Sequence, residues 1–296
     1  MIAITEKQHT IPVGYMKLFT DDFSGKNLSV YRIELKKLQS GKNAKSVGWR
    51  YGAYESGGEI NKLEKMMASM ERDIFRYLRS MLNALSTQDT FDTDDRLLKK
   101  AILLQYFRTF DGRLKLGLLS KGLPIINSPV DLKSIKVSEE DIRLGNRILE
   151  SPNGLEKLLD RIVVSDKGSV YIGHACKGRR FITSDSPVST FRFGTQQRLF
   201  VMPISQKYCL FWIPDGDIPF FKERIMTVDS EIVDNVNWSS INSAEYVVIS
   251  GTPFLLPEIY AISSVFNSDT SFGRKALLPT QLRRLSGVIP FLRSSS

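Results

Sequence analysis

The sequence predicts an α+β protein in which an N-terminal helical half packs with a C-terminal, mostly antiparallel sheet. Helical periodicity dominates residues 56–161, whereas short β-type runs separated by Gly, Pro, Asp and Ser dominate residues 162–250. Helices that come first and strands that come afterwards are typical of α+β folds, because βαβ units would alternate the two. We therefore expect a single domain over residues 1–268 and a basic C-terminal tail over residues 269–296.

Helices are predicted where apolar residues recur at three- and four-residue spacing. In the first long helix this stripe runs from Leu63 through Met67 to Leu82. The second begins at Asp94 or Asp95, since either carboxylate can cap free backbone N–H groups. It is apolar nearly all round, as expected of a central buried element. The predicted helices are 59–85, 94–119, 138–150, 152–161 and 228–242.

Strands are predicted at β-branched and aromatic runs that turn-forming residues interrupt. One lies near the N-terminus, where a Gly/Lys/Asn stretch ends it, and the others follow the helices. The predicted strands are 27–36, 162–164, 169–173, 181–184, 199–202, 208–212 and 245–250.

The composition of the 296-residue chain is ordinary for a globular protein, with 42% hydrophobic and 25% charged residues, which argues against wholesale disorder. No apolar run approaches the roughly 20 residues that a membrane helix needs. The opening MIAITEKQHT lacks the features of a secretory signal. Cys176 and Cys209 are the only cysteines, so no disulfide framework is expected. These features predict a cytoplasmic protein with reduced thiols.

The chain carries a net charge of +9, from 41 basic against 32 acidic residues, and the basic residues stand in three groups. Such an excess fits a phosphate backbone or another polyanion as partner. A solvated basic surface that binds nothing explains it equally well. The groups are Lys36, Lys37, Lys42, Lys45 and Arg50; Lys99, Lys100, Arg108, Arg113, Lys115 and Lys121; and Arg274, Lys275, Arg283, Arg284 and Arg293.

Four polar residues fall inside the apolar stripes of the two long helices. At 100° per residue, Glu64 and Glu71 lie within the stripe of the first helix. Arg108 lies among apolar residues of the second helix, with Gln105 one turn away. Because charges are rarely buried without partners, we expect either a buried ion pair or a polar pocket. In a pocket, the carboxylates could bind a metal or transfer a proton.

Two further segments carry candidate functional side chains. Ser184 and Asp185 follow a β-type run in FITSDSPVSTF, which suits a functional carboxylate at a strand end. The same residues form a good turn, and locally the turn interpretation is favoured. His9, in QHTIP, is one of two histidines. A lone histidine is more often a core or surface residue than a catalyst.

Six segments, in this order, resemble motifs of the domain of unknown function 4238 family: QHTIPVGYMKLF, NKLEKMMASMERDI, LLQYFRTF, FITSDSPV, VMPIS and VNWSSINSAEYVVIS. The resemblance spans roughly residues 8 to 250, and the order of the motifs is more specific than any one of them. It implies no reaction. It does imply a shared site formed by His9, Glu64, Glu71, Gln105, Arg108, Ser184 and Asp185.

The expected function is a metal-dependent nuclease or related phosphodiester hydrolase that acts as an effector in antiphage defence. Glu64, Glu71 and Asp185 would hold Mg²⁺ or Mn²⁺, His9 would act as base or ligand, and Arg108 would stabilise phosphate charge. The expected catalytic residues are His9, Glu71, Gln105, Arg108, Ser184 and Asp185.

Two other interpretations stay open. The polar residues could form a non-catalytic sensor module that binds nucleic acid, a nucleotide or a protein partner. They could also be a buried structural network. A membrane is not expected as a partner, and the sequence makes no prediction of oligomeric state.

Overall fold

The computed structural model describes residues 7–51, 53–54, 61–87, 92–121, 138–193, 197–218 and 220–266. The predicted basic tail, 269–296, lies outside these ranges. Within them, no helix combines the length and the apolar character needed to cross a membrane.

The helices of the described residues lie mainly in one block between two sets of strands. Their bounds are α1 Val13–Lys17, α2 Lys62–Thr87, α3 Asp95–Arg108, α4 Phe110–Ser120, α5 Glu139–Glu150, α6 Gly154–Ser165, α7 Ser230–Ser243 and α8 Leu256–Phe266. The strands are β1 Lys7–His9, β2 Leu28–Arg32, β3 Lys37–Lys42, β4 Trp49–Tyr51, β5 Val170–Ala175, β6 Thr183–Ser184, β7 Ser189–Phe193, β8 Gln197–Pro203, β9 Tyr208–Trp212, β10 Ile225–Val228 and β11 Val247–Ser250.

The strands form three sheets. A five-stranded sheet has the order β10-β5-β9-β8-β7 and is antiparallel except for the parallel pair β10–β5. A four-stranded antiparallel sheet has the order β3-β2-β11-β6, and β1 pairs with β4. The predicted α+β class, with helices towards the N-terminus and sheets towards the C-terminus, is confirmed.

The four-stranded sheet joins the two ends of the described chain. Val30 in β2 pairs with Ile249 in β11, and Ser184 in β6 pairs with Val248 on the other side of β11. The returning strand β11 therefore lies between β2 from the N-terminal segment and β6. This pairing brings the end of β6 close to the segment that carries β1 and β4.

Helix α3 is the buried centre of the helical block, as its apolar surface predicts. Leu98, Ile102 and Leu104 are fully buried, and the helix contacts α2, α4, α6 and the five-stranded sheet. A helix with apolar residues on all sides needs such neighbours on all sides. Its position fixes the side chains of its last turn, which include Gln105 and Arg108.

The prediction of one continuous helix over 94–119 was wrong. The chain leaves helical geometry at Thr109, whose backbone is extended, and a second helix starts at Phe110. The Thr109 hydroxyl donates to Tyr106 O at 2.7 Å and accepts the N–H of Gly112 at 3.0 Å. A threonine that caps the following turn in this way competes with helix continuation. The apolar periodicity continues across Thr109 and therefore does not indicate the break.

The predicted strand at 162–164 was also wrong, because these residues belong to α6. Leu155, Leu159 and Val163 are the buried residues of α6 and recur every four positions, as on one face of a helix. The β-branched run therefore packs as the end of an amphipathic helix. Helices α1 and α8 and strands β1, β3, β4, β7 and β10 are elements that the sequence did not predict.

Replacing Asp94 with Ala should destabilise α3. The Asp94 side chain accepts the Leu97 N–H at 3.1 Å at the helix start. Loss of such a cap costs about 1 kcal/mol of unfolding free energy. Urea denaturation of the wild type, Asp94→Ala and Asp94→Asn measures this, with the Asn variant expected to retain most of the stability. Equal stability of the Ala variant and the wild type would contradict this role of Asp94.

Candidate functional site

Arg108 and Glu71 form a buried, bidentate ion pair between α3 and α2. Arg108 Nε lies 2.5 Å from Glu71 Oε1, and Nη2 lies 3.1 Å from Oε2. Gln105 Nε2 also donates to Oε1, at 3.1 Å. Burial alone would lower the pKa of Arg108, but the carboxylate of Glu71 raises it above its ordinary value. Of the two alternatives that the helical stripes left open, the buried ion pair is observed for Glu71 and Arg108.

The same arginine holds the N-terminal strand through its backbone. Arg108 Nη1 donates to His9 O and, at 3.0 Å, to the Tyr54 hydroxyl, which itself donates to His9 O at 3.0 Å. Glu64 accepts the backbone N–H of His9 at 2.8 Å. Burial would raise the pKa of Glu64, yet these hydrogen bonds from His9 lower it overall. His9 is thus held mainly by its main chain, with Nδ1 3.7 Å from Glu64 Oε1.

Ser184 and Asp185 form a turn that ties β6 to β11. The Ser184 hydroxyl donates to Ser186 O at 3.1 Å and accepts the Ser186 N–H at 3.2 Å. The Asp185 carboxylate accepts the backbone N–H groups of Glu245, Tyr246 and Val247 at 3.1, 3.0 and 3.4 Å. Such side-chain bonds to backbone are the local chemistry that the turn interpretation predicted. In addition, they fix Asp185 against the start of a distant strand.

Two carboxyl groups at this turn have raised pKa values. Burial, and then the nearby charge of Glu245, raise the pKa of Asp185 to about 7, against the opposing effect of the three backbone N–H groups. Burial likewise raises the pKa of Glu245, which Arg113 and Arg50 partly oppose. Burial and a second acid nearby both disfavour the ionised form of a carboxyl group. Asp185 therefore titrates near neutral pH.

The ion pair and the turn meet at a cavity of about 320 Å³, here called the arginine cleft. Among the residues expected to form a site, Arg108 and Asp185 line it. His9, Glu64, Glu71, Gln105 and Ser184 lie around it without contributing to its lining. The charged lining residues are Arg50, Arg108, Arg113, Arg143, Asp185 and Glu245.

Arg113 differs from the other basic residues of the group at residues 99–121. Lys99, Lys100, Arg108, Lys115 and Lys121 each have a carboxylate partner. Arg113 is only 4% exposed, and its Nε and Nη1 have no hydrogen-bond partner in the described part of the chain. Burial lowers its pKa, Tyr54 and Glu245 partly oppose that effect, and the nearby charge of Arg108 adds to it. Its guanidinium carbon lies 4.5 Å from the centre of the Tyr54 ring.

Close packing of α4 against α5 sets the position of Arg113. A Cβ atom at Gly145 would lie 2.1 Å from Arg113 O, and one at Gly117 would lie 1.9 Å from Asp141 O. Only glycine permits such an approach of two helix backbones without displacement. The same packing brings Arg143 and Asn146 of α5 to the wall of the arginine cleft.

The expected metal ligands do not form one cluster. Both carboxylate oxygens of Glu71 accept hydrogen bonds from Arg108, and Glu64 accepts one from the backbone of His9. Asp185 accepts hydrogen bonds from the backbone at the start of β11 and from the two residues before it. No group of three or more His, Cys, Asp or Glu residues in the described ranges is placed to hold a metal ion. The requirement for Mg²⁺ or Mn²⁺ stays a prediction.

Several lining residues were missed as site candidates. Arg50 and Arg113 entered the sequence prediction only as members of basic groups, and Glu245 only as the start of a strand. Tyr54, which contacts both Arg108 and Arg113, carried no signal in its local sequence. Arg113 follows the helix break at Thr109. Recognition of Thr109 as a cap would have assigned Arg113 to a separate helix, α4.

Residues 7–143 match the family model described as "Protein of unknown function (DUF4238)". The family resemblance is thereby confirmed over this part of the chain. The matched residues include His9, Glu64, Glu71, Gln105 and Arg108. The turn at Ser184 and Asp185 lies beyond them. No curated protein and no solved structure gives a significant match to the chain.

Removal of the Glu71 carboxylate should destabilise the protein strongly. In Glu71→Ala the buried charge of Arg108 loses its partner, which costs about 3–5 kcal/mol of unfolding free energy. A double variant, Glu71→Met with Arg108→Met, should recover part of that loss because no unpaired charge remains. Urea denaturation of both variants measures the difference. If the double variant is as unstable as the single one, the unpaired charge is not the cause.

Titration of Asp185 should make stability fall as the pH rises. The folded-state pKa, about 7, lies above the ordinary value of 3.8. Its stabilising contribution is thus complete below about pH 4 and is lost as the pH rises to 7, by about 4 kcal/mol at one unit per 1.36 kcal/mol. Glu245, Tyr246, Arg113 and Arg50 are the charged or titratable groups around it.

The measurement is the free energy of unfolding of the wild type and Asp185→Asn from pH 4 to pH 7.5. The wild-type value should fall relative to that of the variant across this range. Parallel profiles for the two proteins would show that folding does not raise the pKa of Asp185.

Proposed function

We propose that the arginine cleft binds a phosphate group of a nucleic acid or nucleotide and that the protein hydrolyses a phosphodiester bond there. The observation that carries the proposal is Arg113, a buried guanidinium with no carboxylate partner in the described residues. An unpaired buried charge is costly, and an anion in the cleft would remove that cost. Guanidinium groups match phosphate oxygens in geometry as well as in charge.

Two further arginines support an anionic ligand. The half-buried Arg50 and the exposed Arg143 line the same cleft as Arg113. Positive charges along a concave surface concentrate an anionic ligand and accelerate its capture. The net charge of +9 acts in the same direction.

Asp185 and Glu245 are the groups that could transfer protons in the cleft. A general acid or base works best when its pKa lies near the working pH, and the pKa of Asp185 is about 7. In the proposed hydrolysis, water attacks phosphorus as one carboxylate accepts its proton. The bond from phosphorus to the leaving oxygen then breaks, and that oxygen receives a proton. Arg113 would stabilise the charge that develops on the phosphate.

The proposal retains the expected requirement for Mg²⁺ or Mn²⁺. Carboxylate and phosphate oxygens are the ligands that such ions prefer. Of the three expected ligands, Glu64, Glu71 and Asp185, Asp185 is the one that lines the cleft. The ion would bind together with the substrate phosphate and neutralise part of its charge.

A second candidate function is a sensor that binds the same class of ligand without cleaving it. It is favoured by the environment of Asp185, whose carboxylate already accepts three backbone N–H groups. A carboxylate held in this way supports the strand pairing whether or not it takes part in catalysis. Binding without cleavage would identify this function.

The cellular role that we propose is that of a cytoplasmic effector in antiphage defence. Both cysteines are free thiols, as suits a reducing compartment. Cleavage of nucleic acid would explain such a role directly, whereas a sensor would need a partner protein to act on.

Arg113→Gln should weaken ligand binding and slow cleavage. The purified protein is incubated with labelled RNA, single-stranded DNA and duplex DNA, each with Mg²⁺, with Mn²⁺ and with chelator. The variant removes the phosphate-binding charge, which typically changes the affinity by about tenfold or more per buried charged contact. Metal-dependent cleavage that is at least about tenfold slower in the variant than in the wild type, at substrate concentrations below saturation, is the expected result.

The matched control is Arg76→Gln, which removes the same charge from an exposed position on α2 away from the cleft. Asp185→Asn and Glu245→Gln then test proton transfer, since they preserve side-chain size better than Ala. Binding that survives in chelator without any cleavage in metal would favour the sensor. If Arg113→Gln and Arg76→Gln behave alike, the arginine cleft is not the binding site.

A further inference from the structure

A second cavity adjoins the arginine cleft and differs from it in chemistry. It has a volume of about 380 Å³ and shares Thr10, Arg50, Tyr51 and Tyr246 with the cleft. We call it the aromatic cavity. The shared residues form the boundary between the two spaces, so that a ligand longer than one phosphate can occupy both.

Aromatic side chains are prominent in the lining of the aromatic cavity, whereas charged side chains are prominent in the lining of the cleft. Trp49 and Tyr51 stand two residues apart on β4, with ring centroids 5.5 Å apart and planes at 80°. The side chain of Tyr51 is 61% exposed, although it is a large aromatic group. On the boundary, the guanidinium of Arg50 lies over the ring of Tyr246.

Three charged residues line the aromatic cavity, and each is engaged within the protein. Arg50 Nη2 lies 2.6 Å from Glu34 Oε1, and Arg32 donates to Gln39 Oε1 at 3.4 Å and to Ser46 O at 3.2 Å. The Glu34 carboxylate repels phosphate, so the rings and the apolar side chain of Leu35 are the distinctive surface. The cavity therefore suits a flat, uncharged group attached to an anionic one.

We propose that the aromatic cavity holds an unpaired nucleobase of the ligand whose phosphate lies in the arginine cleft. The inference rests on the proposed function and specifies its substrate as single-stranded nucleic acid. Every base has a π-face that stacks on an aromatic side chain, and such stacking tolerates any sequence. The bases of a duplex are paired and stacked internally, so they reach such a cavity only by leaving the helix.

The test is a comparison of three probes of matched length, all with chelator present. They are a fluorescein-labelled deoxythymidine oligomer, the same oligomer with abasic spacers in place of its nucleotides, and a duplex. The abasic strand keeps the phosphates and lacks the bases. Fluorescence anisotropy gives the dissociation constant of each probe for the wild type and the variants.

Tyr51→Ala should weaken binding of the deoxythymidine strand about 5- to 150-fold, the range for loss of one stacked base. It should leave binding of the abasic strand unchanged. Tyr51→Phe keeps the ring and should behave as the wild type. Tyr260→Ala serves as the matched control, because Tyr260 is 76% exposed on α8 and lines neither cavity.

Three results would overturn the base site: equal affinity of the wild type for the deoxythymidine and abasic strands, tighter binding of the duplex, or equal behaviour of Tyr51→Ala and Tyr260→Ala. Arg113→Gln separates this outcome from failure of the proposed function. If it weakens both strands while Tyr51→Ala weakens neither, the phosphate site stands and the base site fails. If it weakens neither strand, or if no probe binds the wild type, the phosphate site fails and the base site fails with it.

Discussion

The buried ion pair of Arg108 and Glu71 is the interaction on which the organisation of the site depends. It joins the last turn of α3 to the middle of α2, and both residues are at most 4% exposed. The remaining nitrogen of the guanidinium holds the backbone of His9 and the hydroxyl of Tyr54. One side chain therefore fixes two helices, the strand β1 and the segment after β4. Those segments carry Thr10, Arg50 and Tyr51 to the two cavities.

This arrangement separates structural charges from those available to a ligand. Four of the five N–H donors of Arg108 are engaged by protein acceptors, so Arg108 contributes to the cleft mainly through its charge. Arg113 also lies over the ring of Tyr54 and has no carboxylate partner within ion-pair distance among the described residues. Two guanidinium groups beside one ring repel each other. Burial lowers the pKa of Arg113, Tyr54 and Glu245 partly oppose that effect, and the charge of Arg108 adds to it.

Much of the helical half of the site could be predicted from sequence because it depends on helical periodicity. Glu71 and Arg108 stand out as charges within apolar stripes, and a stripe implies burial wherever the helix lies. The turn at Ser184 and Asp185 was predicted from local side-chain chemistry. The first prediction uses a property of a single helix, and the second uses contacts between residues that are close in sequence.

The remainder depends on contacts between distant residues that no local pattern contains. Asp185 faces Glu245 only because β6 pairs with β11, and β11 pairs in turn with β2. Arg113 lines the cleft only because Thr109 ends one helix and starts another. Since the apolar pattern runs through that break, a continuous helix would direct Arg113 elsewhere. The rest of the site could therefore not be predicted without knowing the strand order and the position of the helix break.

The cost of the unpaired arginine is itself an argument for function. Natural proteins generally pair buried charges, and this chain does so for every other basic residue of the group at residues 99–121. The charge of Glu245 acts on Arg113, yet burial raises the pKa values of both acids of the cleft, Asp185 and Glu245, and so disfavours the ionised forms that would stabilise Arg113. Sites that violate the rules of stability in this way are expected where a ligand supplies the missing partner. A phosphate in the cleft would pair with Arg113, and its binding free energy would add to the stability of the fold.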